Sequence, residues 1–182
     1  MTPAPTGEAL DPRFTNPVTS RLAGFLGGIG LDVEPAVLSQ GSFLSGVMIS
    51  HGKLLVDEST LTYPGDLLHE AGHLALFPAS RRQAMHMDAG ADGGYEMAAI
   101  AWSYAAALYL GIDPAVVIHS GGYRGGSGAI LTNFAAGHTF GVPILEWLGM
   151  AADKKKAALL RVPAYPHMLK WVNDETSGAQ RT

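Results

Sequence analysis

The sequence of 182 residues contains no cysteine, few charged residues and no long apolar run. Without cysteine the chain can form no disulfide, no thiolate-bound metal site and no cysteine nucleophile, so a metal site would need His, Asp and Glu as ligands. Charged residues make up 15% and the formal net charge is −4, so no extended basic face is expected. Nucleic acid is therefore not an expected partner.

The longest apolar stretch, residues 97–110, is shorter than the roughly 20 residues that cross a bilayer, and we expect no membrane partner. A secretory signal has a cationic segment followed by an apolar one, and the N-terminal residues do not show this pattern. We therefore expect a cytoplasmic protein. Residues 1–17 hold four of the eleven prolines and predict a loose arm. A single domain is predicted over residues 18–182, with enough apolar content for a core and for a homo-oligomer.

Two short apolar segments, residues 47–49 and 54–56, flank His51 and Gly52. This pattern predicts a β-hairpin whose turn uses the positive φ of glycine. The hairpin would belong to a small mixed or antiparallel sheet. Because helical segments are also predicted, the expected fold class is α+β.

A helix is predicted after the hairpin, because a Pro-Gly breaker is followed by an apolar run. It should begin near Leu67 and end before Pro78, with Asp66 as its N-cap. A second helix is predicted from about Tyr95 to Leu110, ending at a glycine.

The first of these helices carries the motif HEAGH, from His69 to His73. Positions i and i+4 lie on one face of a helix, so both imidazoles can bind one cation. Glu70 borders the same site, where it can accept a proton from a water that the metal activates. With seven histidines in the chain, the pattern would arise by chance roughly once in a hundred such sequences. The other interpretation is a pair of core histidines bonded to backbone carbonyls.

A catalytic zinc needs a third protein ligand and an open position for water. Glu96 is the preferred candidate, because it heads an otherwise apolar helix 23 positions after His73. Its other interpretation is a glutamate that the helix dipole favours in a first turn. His86, Asp88 and Asp92 in the intervening segment are rival ligands, with Asp92 first among them.

The order of hairpin, HEAGH helix, loop and a helix reading EMAAIA resembles the ImmA/IrrE-like metallopeptidases, a group of small intracellular gluzincins. The resemblance covers roughly residues 47–110 and places Glu96 on the glutamate ligand of that group. It implies a zincin-like fold in which a small sheet with a hairpin packs beside the HExxH helix and a second ligand-bearing helix. It also implies a Zn²⁺-dependent peptidase acting on a peptide or protein substrate.

In that interpretation Glu70 is the general base, and an oxyanion donor must lie elsewhere in the chain. The segment HSGGYRGGSG is a predicted loop bordering the cleft, and it offers His119 and Tyr123 as catalytic donors. The alternative function is a non-catalytic metal-binding module that regulates or binds another protein on the same scaffold.

Overall fold

The computed structural model of the chain describes residues 9–38, 45–86 and 93–174. Over these residues it is an α+β fold with seven α-helices and one small mixed sheet, which confirms the predicted fold class at that level. The strands are β1 (Val33–Pro35), β2 (Val47–Ser50) and β3 (Lys53–Val56). The α-helices are α1 (Pro17–Gly28), α2 (Asp66–Ala75), α3 (Ala79–Arg82), α4 (Gly93–Tyr109), α5 (Ser127–Ala135), α6 (Val142–Trp147) and α7 (Lys154–Leu160).

The sheet has the order β1-β3-β2, with β1 parallel and β2 antiparallel to β3. The predicted hairpin is confirmed as β2 and β3, in which Ser50 pairs with Lys53. Its two turn residues both have positive φ, 49° at His51 and 78° at Gly52, as tight two-residue hairpin turns require. Burial alternates along both strands, so one face of the hairpin lies on the core.

Residues 9–16, which we expected within a loose arm, lie against α1. The amide of Asp11 donates to the Ser20 carbonyl at 2.9 Å, and the Ser20 hydroxyl donates back to the Asp11 carbonyl at 2.8 Å. The ring of Phe14 is buried in the core. Asn16 caps α1 with its side chain, and the proline that follows occupies the first helical turn, where its missing N–H costs nothing.

The helices α2 and α4 form the centre of the core. Eight of the ten residues of α2 are buried, including Leu67, Leu68 and Leu74, which are fully enclosed. The apolar face of α4 consists mainly of alanines around Trp102, whose indole N–H donates to the carbonyl of Trp171 at 2.8 Å. Among the described residues, no helix is both long and apolar enough to cross a bilayer.

Candidate metal centre

The site depends on how closely α2 approaches α4. A Cβ added to Gly72 would lie 2.9 Å from the Ala99 carbonyl oxygen and 3.3 Å from the Ala99 Cβ. A larger side chain at either position would therefore separate the helices. Because Gly72 directly precedes His73, and Ala99 lies one turn after Glu96, this contact brings the three predicted ligands to one place.

The two histidines of α2 converge as the i, i+4 spacing predicts. Their Nε2 atoms are 3.3 Å apart, and their rings are nearly perpendicular with centroids 4.8 Å apart. Both side chains are largely enclosed, His73 at 6% exposure and His69 at 12%. They point at a common position and not at backbone carbonyls.

Glu96 reaches the same position from the first turn of α4. One carboxylate oxygen lies 3.1 Å from His73 Nε2 and the other lies 3.5 Å from His69 Nε2. Of the rival ligands, His86 instead stacks on His51 at the hairpin turn, with ring centroids 5.0 Å apart. Asp88 and Asp92 lie outside the described residues.

The spacing of the two imidazole nitrogens fits neighbouring ligands of a tetrahedral cation. Bonds of about 2.0–2.1 Å at tetrahedral angles place neighbouring ligand atoms about 3.3 Å apart. The Nε2 atoms of His69 and His73 are 3.3 Å apart, and a different Glu96 carboxylate oxygen lies 3.5 Å and 3.1 Å from each of them respectively. Two imidazoles and one carboxylate are also the donor types that zinc accepts. The donor types and their proximity are therefore those of a group that could hold a metal ion.

Glu70 borders this position. The ligating atoms of His69, Glu70 and His73 all lie within 4.8 Å of one another. Burial raises the pKa of Glu70 to about 7, and the nearby Glu96 carboxylate adds to the effect of burial. A carboxyl group with a pKa near neutrality can both accept and return a proton at neutral pH.

The charge states of the ligands suit a cation as well. Burial and the neighbouring His73 lower the pKa of His69 to about 4, so its imidazole is neutral at neutral pH. The hydrogen bond with His73 lowers the pKa of Glu96, against the opposing effect of burial, so this carboxyl group is ionised. Metal ligands must be deprotonated, and these two groups are so before any ion arrives.

His119 belongs to a buried polar cluster at the start of α2. Its Nε2 lies 2.8 Å from an Asp66 carboxylate oxygen, and its ring stacks on Tyr63 with centroids 3.7 Å apart. Burial raises the pKa of Asp66, and His119 opposes that effect. The prediction of Asp66 as an N-cap was wrong, because its carboxylate bonds His119 and Gly65 occupies the cap position. The catalytic role of His119 stays a prediction.

Tyr123 lies on the outer side of His69. Its hydroxyl is 3.5 Å from His69 Nδ1 and 3.4 Å from the carbonyl oxygen of Val117. The two aromatic rings meet edge to face with centroids 5.7 Å apart. Burial raises the pKa of the Tyr123 hydroxyl, which therefore stays protonated at neutral pH.

Sequence reasoning missed two members of this region, Asp66 and Tyr63. The sequence signal at Asp66 is its place before an apolar run, and no sequence pattern singles out Tyr63. Both lie more than 50 positions from His119. No local pattern in the sequence signals such a long-range pair, although an acid one turn before the first motif histidine is a signal to look for.

Comparisons with known proteins give no independent assignment. No protein-family model matches the chain, and no curated protein or solved structure is significantly similar to it.

Proposed function

We propose that the protein is a zinc-dependent peptidase in which His69, His73 and Glu96 hold the cation and Glu70 is the general base. The observation that carries this proposal is the meeting of two imidazole nitrogens 3.3 Å apart with a carboxylate within 3.5 Å of each, and a fourth titratable group beside them. A site that only stabilised the fold would not need that fourth group.

When bound, zinc would acidify a water and polarise a substrate carbonyl. The protein's own residues then supply proton transfer and orientation. Glu70 accepts the proton of the attacking water and returns it to the leaving amine, for which a pKa of about 7 is well matched. The low exposure of His69 and His73 keeps bulk water from the ligand side of the site.

The sheet offers a means of holding a peptide next to this site. Strand β2 forms one end of the strand order and packs against α2, the helix that carries the motif. An edge strand can pair with an extended chain through backbone hydrogen bonds. At Ser50 this edge already forms an antiparallel bridge with His86, so the peptide would pair along residues 47–49. We therefore propose a peptide or an extended segment of a protein as the substrate.

Two measurements test the proposal. Purified protein should contain one zinc per chain, and it should cleave a library of short unstructured peptides. Glu70→Gln should keep the zinc and lose about 10²–10⁴-fold in turnover, because general-base catalysis contributes about that much. His73→Ala should lose the zinc.

Wild type and Glu70→Gln together distinguish the peptidase from the non-catalytic metal-binding module. If zinc binds but neither wild type nor Glu70→Gln cleaves any peptide, the non-catalytic metal-binding module takes the place of the peptidase. A wild-type protein that binds no zinc under any tested condition would rule out both the peptidase and the metal-binding module.

A further inference from the structure

The loop after His119 lies close against the residues at the start of α2. A Cβ added to Gly121 would lie 2.4 Å from the Tyr63 hydroxyl, and one added to Gly122 would lie 3.2 Å from the His119 ring. Glycines at these two positions let the backbone approach the stacked pair of Tyr63 and His119. The bond between His119 and Asp66 fixes the loop to the first residue of α2.

The backbone then turns sharply. Tyr123 and Arg124 have φ values of 55° and 51°, in the left-handed region that side chains other than glycine rarely adopt. Two consecutive residues of this kind persist only where their surroundings hold them. The result of this conformation is that the Tyr123 side chain lies beside His69 and is partly buried.

The Tyr123 hydroxyl meets the ring nitrogen of His69 that faces away from the proposed ligand position. Nε2 of His69 lies toward His73 and Glu96, whereas Nδ1 lies toward Tyr123. A hydroxyl can accept a hydrogen bond from Nδ1–H and donate one to the Val117 carbonyl at the same time, so that it acts both as acceptor and as donor. A proton held on Nδ1 leaves the lone pair of Nε2 free for a cation.

We propose that Tyr123 is a positioning residue that fixes the tautomer and ring orientation of His69. This inference rests on the proposed function, because it assigns a supporting role around the same metal. It also differs from the expected oxyanion role of Tyr123, because the hydroxyl is directed at Nδ1 and the Val117 carbonyl. The other ligand histidine has no such support among the described residues, since His73 Nδ1 is buried without a hydrogen-bond partner.

The test compares two variants that each remove one partly buried tyrosine hydroxyl. Tyr123→Phe removes the group beside His69. Tyr165→Phe is the matched control, because its hydroxyl donates to the Ala101 carbonyl at 2.9 Å and not to a histidine. Zinc affinity is measured by competition with a chromophoric chelator, and the melting temperature is measured in EDTA. Tyr123→Phe should weaken zinc binding by about 10–100-fold, the usual effect of losing such a partner, whereas Tyr165→Phe should not.

A second readout works without metal. The ¹⁵N chemical shifts of the His69 ring, assigned by their loss in His69→Gln, report which nitrogen carries the proton. In wild type and Tyr165→Phe the His69 ring should carry its proton on Nδ1. In Tyr123→Phe it should be a mixture of the Nδ1–H and Nε2–H tautomers. Unchanged zinc affinity together with an unchanged tautomer in Tyr123→Phe would overturn the inference. If wild type binds no zinc, the proposed function fails, and the tautomer alone then decides the role of Tyr123.

Discussion

Gly72 in α2 lies directly against Ala99 in α4, with no room for a side chain between the glycine and the Ala99 carbonyl. This contact sets the distance between the helix that carries the histidines and the helix that carries Glu96. It therefore links the packing of the core to the geometry of the proposed metal site.

Replacing Gly72 with valine should affect both properties. The added atoms would force the helices apart, and overpacking of this kind costs about 1–3 kcal/mol. Urea unfolding in EDTA measures the loss of stability, and a zinc titration should show weaker binding. Gly27→Ala is the control, because an added Cβ at Gly27 on α1 meets no atom within 4 Å and should raise stability by about 0.4–1 kcal/mol. A Gly72→Val protein with wild-type stability and zinc affinity would contradict this account of the contact.

Removing the carboxylate of Glu96 should weaken zinc binding while leaving the fold intact, because this side chain is 47% exposed. Glu96→Gln is compared with Glu146→Gln by zinc competition. The Glu146 carboxylate pairs with Lys156 at 3.3 Å, so its loss should not change zinc affinity. Asp92→Asn completes the series: if it, and not Glu96→Gln, abolishes binding, the third ligand is Asp92.

Glu70 should make the stability of the metal-free protein depend on pH. Its pKa is about 7 when folded and ordinarily 4.5, so the folded state binds the proton more tightly. The buried carboxylate therefore costs stability as the pH rises above 4.5, and the cost is complete above about pH 7. At about 1.4 kcal/mol per pKa unit it reaches about 3 kcal/mol. In EDTA, Glu70→Gln should melt at a higher temperature than wild type at pH 8, and this advantage should vanish at pH 4.

The contribution of Asp57 to stability should change with pH in the opposite direction to that of Glu70. Hydrogen bonds from the Ser59 hydroxyl and from the Leu38 amide lower the pKa of Asp57 below its ordinary 3.8. Its stabilising contribution is therefore full above pH 3.8 and is lost as the pH falls through the lower folded pKa. Asp57→Asn should lower the melting temperature at pH 7, and the difference should shrink below pH 3. A difference of equal size at both pH values would mean that the carboxylate charge has no part in it.

The elements that sequence analysis predicted are those whose signals are local. The hairpin follows from two apolar segments around His51 and Gly52, and the convergence of His69 and His73 follows from helical geometry alone. The second helix was expected from about Tyr95 and begins at Gly93, a difference within the fraying of helix ends.

What sequence analysis did not find depends on contacts between distant parts of the chain. The strand Val33–Pro35 has only three residues and contains a proline, and it exists because β3 pairs with it. Asp66 carries an ordinary N-cap signal, yet a histidine 53 residues later binds its carboxylate. Its place at the head of an apolar helix made Glu96 a candidate, and the resemblance to a metallopeptidase group placed it on a ligand, but its distance from the histidines follows from the packing of Gly72 on Ala99.

The three proposed ligands differ greatly in their contact with solvent. His73 is exposed by 6% and His69 by 12%, whereas nearly half of the Glu96 side chain faces water. An ion or a chelator would therefore enter and leave past the carboxylate. Exchange of the cation would then need only the rotation of one half-exposed glutamate, so that a loaded protein should release its ion to a strong chelator without unfolding.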